Sequence, residues 1–199
     1  FGIIGNWKSS ALINDDSSID WSCLPEFDSP SVFCKILDEK IGGSFKIDCD
    51  SSYSINQKYM EKTCILITTF QNSKNEFQVI DFMPRYQKEN GIYYSPPQIV
   101  RVLKLIKGKP KFRVLYDPKL SFSLGKTNNY VKENFIVSVL NEDRYETLYL
   151  YTDLNKNIIL NSSEITLKED HFMTISYNEK INIPNIESTL LELEKTKVY

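Results

Sequence analysis

Three acidic residues lie in the most distinctive stretches of this chain and are its first candidates for chemistry. Asp20 and Asp28 flank a proline-bordered loop, and Asp81 follows an apolar, strand-like run. Hydrolysis of a glycosidic bond requires a pair of carboxyl groups, one of them acting as the general acid. The same side chains also have a structural interpretation, because a carboxylate in such a corner accepts backbone N–H groups or binds an arginine such as Arg85. The spacing alone leaves both interpretations open.

Other catalytic and metal-binding patterns are missing from the sequence. The single histidine, His171, has no nearby cysteine or serine partner, so we expect a surface residue and not a catalyst. No nucleophile elbow, phosphate-binding glycine loop or metal-ligand cluster is present. The spacing of the four cysteines matches no zinc or haem pattern, and their neighbours predict buried thiols in a reducing compartment, with a disulfide between Cys23 and Cys34 left open. The sequence therefore predicts no metal and no cofactor.

Composition limits the possible partners. The chain has 199 residues, of which 41% are hydrophobic and 13% aromatic, which is enough for one large core. A formal charge of −2, from 24 basic and 26 acidic residues, gives no positive field for nucleic acid. No apolar run approaches the roughly 20 residues that span a bilayer, and no basic-then-apolar leader is visible. We therefore expect no nucleic-acid partner, no membrane span and a cytoplasmic location.

The central stretch of the chain is the run from Ser18 to Leu37. Ile19, Trp21 and Cys23 alternate with polar residues, which predicts a strand with Trp21 on the buried face. Pro25 and Pro30 then bracket a loop. After the loop, Ser29 is a capping residue for a short helix near 30–37, with Pro30 at its first position. Strand, loop and helix are expected to form one rigid unit.

The remaining chain has the rhythm of short strands separated by turns. Around a dozen strands at intervals of about ten residues, almost without helix, predict an all-β fold: a two-sheet antiparallel β-sandwich, or supersandwich. The segment 86–97 has no periodicity of its own and contains tyrosines and prolines, which is typical of a binding loop. The expected strands cover residues 11–13, 19–24, 44–48, 54–60, 63–70, 76–83, 99–106, 111–116, 121–124, 135–140, 146–152, 158–160, 163–167 and 172–177.

The pattern changes at Pro184. Asn185 is a capping residue, acidic residues come early and lysines late, and Ile186, Leu190 and Leu193 form one stripe, so a helix is predicted here. We therefore divide the chain into a β-sandwich domain over 1–183 and a helix over 184–199. The residues fit a linker that leads to another domain and a plain helix packed on a sheet equally well.

Several runs of the chain, in the same order, resemble the N-terminal domain of glycoside hydrolase family 15, which contains glucoamylases, glucodextranases and bacterial and archaeal trehalases. The resemblance covers residues 4 to about 118. In two places the chain departs from the family pattern, with Glu26 where arginine is frequent and Ser17 where glycine is usual. The runs are I-G-N-W-K-S-S-A-L-I, S-I-D-W-S-C-L-P-E-F-D-S-P-S-V-F, G-G-S-F-K-I, Y-M-E-K-T-C-I-L-I-T-T-F, V-I-D-F-M-P-R and I-V-R-V-L-K-L-I-K-G-K-P-K-F-R-V-L-Y-D-P.

The resemblance implies that a linker helix leads from the sandwich into an (α/α)6 catalytic barrel beyond Tyr199. In that family the general acid and general base are glutamates of the barrel, so this chain is expected to hold no catalytic pair. Its expected role is to support folding, assembly and the active-site mouth of an inverting α-glucosidic hydrolase. The expected partners are the barrel, a second copy of the protein and an α-glucoside near the loops.

Two groups of site residues follow. Loop residues expected near the barrel mouth or a sugar are Trp7, Glu26, Phe27, Asp28, Arg85, Tyr93 and Tyr94. Residues expected to hold the motif together are Asp20, Trp21, Pro25, Pro30, Asp81 and Pro84. The alternative to this assignment is a stand-alone β-sandwich module that binds carbohydrate or protein on its aromatic loops.

Overall fold

The structure is a computed structural model that describes residues 1–140 and 146–198. Within them lie seventeen strands, two α-helices, α1 (Lys156–Leu160) and α2 (Ile186–Lys197), and a 3-10 turn at Ser121–Ser123. The strands are β1 (Gly2–Gly5), β2 (Ser10–Ile13), β3 (Ile19–Cys23), β4 (Ser31–Phe33), β5 (Ser44–Asp48), β6 (Ser54–Tyr59), β7 (Leu66–Gln71), β8 (Glu76–Phe82), β9 (Tyr86–Gln87), β10 (Tyr93–Tyr94), β11 (Gln98–Lys107), β12 (Lys111–Asp117), β13 (Thr127–Val131), β14 (Phe135–Leu140), β15 (Thr147–Thr152), β16 (Ile165–Thr166) and β17 (His171–Tyr177).

The described strands form two large antiparallel sheets and one small hairpin. The seven-stranded sheet has the order β1-β2-β3-β5-β12-β16, with β4 beside β3. The eight-stranded sheet has the order β13-β14-β15-β17-β11-β8-β7-β6, and β9 pairs with β10 alone. Side chains from the inner faces of both large sheets form one buried core, which includes the stacked rings of Phe70, Phe77 and Phe112. The predicted all-β, two-sheet architecture is confirmed.

A buried arginine links the two sheets through this core. Arg101 of β11 and Asp81 of β8 are directly opposed and fully buried, with Nε and Nη2 of Arg101 2.8 and 3.1 Å from the two carboxylate oxygens. The guanidinium also donates to the carbonyl oxygen of Phe45, at 2.6 Å, and to the carbonyl and hydroxyl oxygens of Ser17, at 2.5 and 2.7 Å. Phe45 and Ser17 belong to the seven-stranded sheet and its β2–β3 turn, so one side chain connects both layers.

The predicted helix near 30–37 is wrong. Ser31–Phe33 is strand β4, paired with β3, and the residues after it form turns. Val32 and Phe33 are fully buried in the core, whereas Ile36 and Leu37 are exposed. Pairing with β3 buries more of this segment than one isolated helical turn could, and it overrides the local capping signal.

The predicted burial of Trp21 is also wrong. A bulge interrupts the pairing of β2 with β3, because Leu12 opposes Trp21 while Ile13 opposes Ile19. The extra residue, Asp20, shifts the alternation, as bulges do. Asp20 is consequently buried and Trp21 is only half-buried.

Two short predicted strands are helical in the structure. Residues 121–124 contain the 3-10 turn, whose residues have positive φ angles. Residues 158–160 belong to α1, because the side chain of Asn155 accepts hydrogen bonds from the backbone N–H groups of Asn157 and Ile158. Such a cap satisfies free N–H groups at a helix start, and the apolar run alone could not distinguish strand from helix.

The C-terminal helix forms where the sequence predicts it. Asn185 and Ser188 make reciprocal capping hydrogen bonds, and the helix runs to Lys197. Its apolar stripe packs on the outer face of the eight-stranded sheet, where Leu193 is only 4% exposed and Leu190 is partly buried. The contact is therefore that of a helix on a sheet. Tyr199, the last residue of the predicted second segment, lies outside the described residues.

Candidate functional site

Three connecting segments meet at one end of the sandwich. The β1–β2 turn is joined to the segment after β10 by the amide of Asn6, which donates to the carbonyl of Pro96 at 2.8 Å. It is joined to the β3–β4 loop by the hydroxyl of Ser9, which donates to the carbonyl of Cys23. The segment 86–97, expected to lack regular structure, contains the β9–β10 hairpin. These contacts bring the predicted loop residues to the same end of the molecule.

Trp7 is held outward by the β1–β2 turn. Asn6 closes this turn, since its side-chain oxygen accepts from the N–H groups of Lys8 and Ser9. Trp7 has φ of 74°, in the left-handed region, and its side chain is 69% exposed. That conformation costs a non-glycine residue about 1–3 kcal/mol, and such strain is concentrated at functional sites.

Arg85 and Tyr93 complete a cluster with Trp7, which we name the aromatic end. The guanidinium of Arg85 lies over the Trp7 ring, and the ring centroids of Trp7 and Tyr93 are 6.0 Å apart. Burial lowers the pKa of Arg85. Among the described residues, no hydrogen-bond partner is found for its buried Nε. Exposed aromatic faces around a planar cation suit sugars, carboxylates or another protein surface.

The β3–β4 loop is the exposed neighbour of this cluster. It begins with a cis peptide bond between Leu24 and Pro25, and the N–H of Glu26 donates to the Ser29 hydroxyl at 3.1 Å. Glu26, Phe27 and Asp28 all point into solvent. The loop therefore adds an exposed aromatic ring and two carboxylates to the same end of the sandwich.

Tyr94 lies on the other side of the hairpin from the aromatic end and packs towards α2. Its ring is 4.9 Å from that of Tyr86, and Lys195 of α2 lies over the Tyr86 ring. Burial, followed by the charge of Glu192, raises the pKa of Tyr86 to about 12. The backbone N–H of Arg85 lies 3.4 Å from the Thr196 hydroxyl oxygen. The last turns of α2 thus pack against the base of the aromatic end.

The acids of the distinctive motifs do not form a reactive pair. Asp81 is enclosed by its contacts with Arg101, and Asp20 accepts a hydrogen bond from the Ser18 hydroxyl at 2.5 Å, with Lys35 at 3.9 Å. Of the two structural options for Asp20 and Asp28, an ion pair with Arg85 is not formed among the described residues, since the Arg85 guanidinium lies over the Trp7 ring. Pro84 is buried and precedes Arg85, while Pro25 and Pro30 border the loop as predicted from the sequence.

Sequence reasoning missed Arg101, although a signal was present. In the apolar run I-V-R-V-L, side chains on both faces of the strand are apolar, so the arginine lies on a buried face whichever way it points. A buried arginine needs a buried acid as its partner. Asp81 occupies the equivalent place in V-I-D-F. Only the register between β8 and β11 shows that the two residues are opposed.

His171 and the cysteines were assigned partly wrongly. His171 is half-buried, and its Nδ1 lies 3.1 Å from a carboxylate oxygen of Asp153, which raises the pKa of the imidazole. All four cysteines are free thiols; Cys23 and Cys34 are buried as expected, but Cys64 is exposed. In the part of the chain that is described, no three potential ligands are grouped as a metal ion would need. No described helix has the length and apolar character to cross a bilayer.

Comparison with known proteins places this chain in a family. Trehalase 2 of Sulfolobus acidocaldarius is 33% identical over 69% of this chain and 21% of its own length. The trehalase of Thermoplasma acidophilum is 34% identical over 66% of this chain and 23% of its own length. The trehalase of Mycobacterium tuberculosis is 23% identical over 77% of this chain and 25% of its own length.

The chain thus spans about a quarter or less of the length of these curated relatives. No solved structure gives a significant match. The family described as "Trehalase-like, N-terminal" matches residues 1–143, which is most of the chain. The protein therefore belongs to the family of trehalase-like N-terminal domains.

Proposed function

We propose that this chain is the non-catalytic N-terminal domain of a family 15 α-glucosidic hydrolase of the trehalase type, cytoplasmic in location. The full-length protein would continue into an (α/α)6 catalytic barrel, and the aromatic end would face that barrel near its active-site mouth. Membership of the family of trehalase-like N-terminal domains supports the assignment as an N-terminal domain. The relatives are named trehalases, and the chain spans only a fraction of their length. Trehalose is therefore the preferred substrate of the whole protein, ahead of maltooligosaccharides.

The proposal that the aromatic end faces the barrel is based on the position of Trp7. A strained backbone presents a large aromatic side chain to solvent, and Arg85 and Tyr93 pack around it. Exposed aromatic and arginine side chains are typical of interface centres. The last turn of α2 lies beside Arg85, so a domain that followed α2 would begin at the aromatic end.

The geometry of the acids supports a non-catalytic role. A general acid must reach the glycosidic oxygen, and two carboxyl groups must flank the bond. Asp81 is fully buried against Arg101, and Asp20 is buried beside Ser18. Neither carboxyl group can reach a substrate without unfolding the core.

A stand-alone binding module is the second candidate, and one observation favours it. The stripe of α2 is already packed on the eight-stranded sheet, as expected for a helix that belongs to this domain. Under this alternative the aromatic end would bind a separate carbohydrate or protein.

Acrylamide quenching of Trp7 tests the proposal. The gene is sequenced past Tyr199, and in both the longer protein and the 199-residue chain the fluorescence of Trp7 is taken as the difference between the wild type and Trp7→Phe. We expect Trp7 to be quenched in the short chain and protected in the longer protein. Trp7→Ala should lower trehalose hydrolysis by the longer protein, and Leu37→Ala, equally exposed but outside the aromatic end, should not. Equal quenching in both proteins, or glucose release by the short chain, would refute the proposal.

A further inference from the structure

A concave site lies on the α2 side of the β9–β10 hairpin, on the face opposite the aromatic end. It is a groove of about 590 Å³ between the segment 94–98, the segment 179–184 and α2. We name it the helix-side groove. Its volume is in the range of small-molecule sites, which is roughly 300–1,000 Å³.

The floor of the groove is polar where the rest of the surface under α2 is apolar. Val100 and Val102 of β11 face α2, but further along the outer face the strands present Gln98 and Thr174, each only 2% exposed. Burial raises the pKa of Tyr94, and the neighbouring Gln98 side chain acts against that rise. Packing a helix on a sheet requires apolar contacts, and burying polar groups is unfavourable unless they are bonded. The polar floor is therefore unexplained by the packing of α2.

The walls carry balanced charges. Glu192 of α2 and Glu179 both act on the Tyr94 hydroxyl, and Lys180 and Lys195 also line the groove. Two carboxylates and two ammonium groups give the site no net sign, which disfavours a strongly anionic or cationic ligand. Burial raises the pKa of Glu192, and the charge of Lys195 acts against that rise. The groove thus offers donors and acceptors together without a dominant charge.

We propose that the helix-side groove binds a neutral polyhydroxylated molecule of mono- or disaccharide size. Its hydroxyl groups would donate to the Glu192 carboxylate and exchange hydrogen bonds with the Tyr94 hydroxyl and the Gln98 amide. Each sugar hydroxyl group can both donate and accept a hydrogen bond, so it can bond to an acceptor and to a donor of the groove at once. The site goes beyond the proposed function, because it lies within this chain and needs neither a catalytic barrel nor the aromatic end.

Titration of the 199-residue chain with glucose and trehalose, followed by NMR of its amide groups, tests this site. We expect saturable shifts in residues 94–98 and in α2. Glu192→Ala and Tyr94→Phe should each weaken binding about tenfold, the usual effect of losing one hydrogen bond. Glu194→Ala, an exposed residue of the same helix paired with Lys197, is the matched control and should leave binding unchanged.

Thermal unfolding of each variant shows whether it is folded. If Glu192→Ala does not fold, Tyr94→Phe still tests the site. Absence of saturable shifts up to about 100 mM of either sugar would overturn the proposal, since that excludes even weak affinity. Binding of citrate or spermine in place of the sugars would also overturn it. Sugar binding lost in Trp7→Ala but kept in Glu192→Ala would move the site to the aromatic end. None of these results bears on whether a barrel covers Trp7.

Discussion

Replacing Arg101 with methionine should destabilise the fold far more than any exposed charge replacement. Methionine has a similar length and fills most of the space, so the loss is electrostatic. Asp81 remains buried without its counter-charge, and the carbonyl oxygens of Phe45 and Ser17 lose their donor. Breaking a buried ion pair from one side costs about 3–5 kcal/mol, and each orphaned buried acceptor about 1–3 kcal/mol.

We take about 3–5 kcal/mol as the expected loss of unfolding free energy, because local relaxation will recover part of the carbonyl contribution. For a domain of this size one kcal/mol shifts Tm by about 2–4 °C, so Tm should fall by about 6–20 °C. Urea unfolding measures the loss of free energy and thermal unfolding measures the change in Tm, both followed by circular dichroism. Arg113→Met removes the exposed pair with Asp48 and is the matched control, expected to change stability by about 1 kcal/mol or less.

A second variant separates the orphaned charge from the orphaned carbonyls. Adding Asp81→Leu to Arg101→Met removes the unpaired acid, so the double variant should be more stable than the sum of the single losses predicts, by roughly 1–3 kcal/mol. Lowering the pH should also relieve Arg101→Met, because burial raises the pKa of Asp81 and Arg101 no longer opposes that rise. If Arg101→Met and Arg113→Met unfold at the same urea concentration, the link between the sheets has no energetic role.

Three further predictions concern other parts of the fold. The pair with Asp153 raises the pKa of His171 above its ordinary value of about 6.5, so the pair stabilises the fold below that pH and loses this effect as the pH rises through the raised pKa. The Tm difference between the wild type and His171→Gln should therefore shrink as the pH is raised. A difference that widens would contradict this sign. Leu193→Ala should lower the free energy of unfolding in urea by about 2–4 kcal/mol, because Leu193 is buried, and Leu191→Ala should lower it by about 0.5 kcal/mol or less, because Leu191 is exposed. Equal losses would mean that α2 is not packed on the sheet. Trp21→Ala should cost about 1–2 kcal/mol, below the 3–5 kcal/mol typical of a fully buried aromatic residue, and a loss in that higher range would restore Trp21 to the core.

The strand rhythm allowed the fold class to be predicted because each strand of these sheets has a buried face, and alternation in sequence reports that face directly. The prediction failed where pairing with a distant strand decided the local structure. The bulge at Asp20 arises from the register of β3 against β2, and β4 exists because it pairs with β3. Neither effect leaves a mark in the residues themselves.

The candidate site was only partly predictable for a related reason. Trp7 and Tyr93 were found because large aromatic residues in irregular segments are informative on their own. The partner of Arg85 was missed because charge complementarity favoured Asp20 or Asp28, whereas the fold brings a tryptophan ring to the guanidinium. A planar cation stacks on aromatic faces as readily as it pairs with acids, and sequence alone does not decide between them.

The two arginines differ in how the fold compensates their charge. Arg101 is fully buried and has acceptors from two strands and a turn, so its charge is compensated within the chain. Arg85 is half-buried on Trp7 and has, among the described residues, no ion pair with a carboxylate. A charge removed from water without a counter-charge is destabilising until a partner supplies one. The charge of Arg101 is therefore compensated within the sandwich, whereas under the proposed function a covering surface would supply the counter-charge that Arg85 lacks.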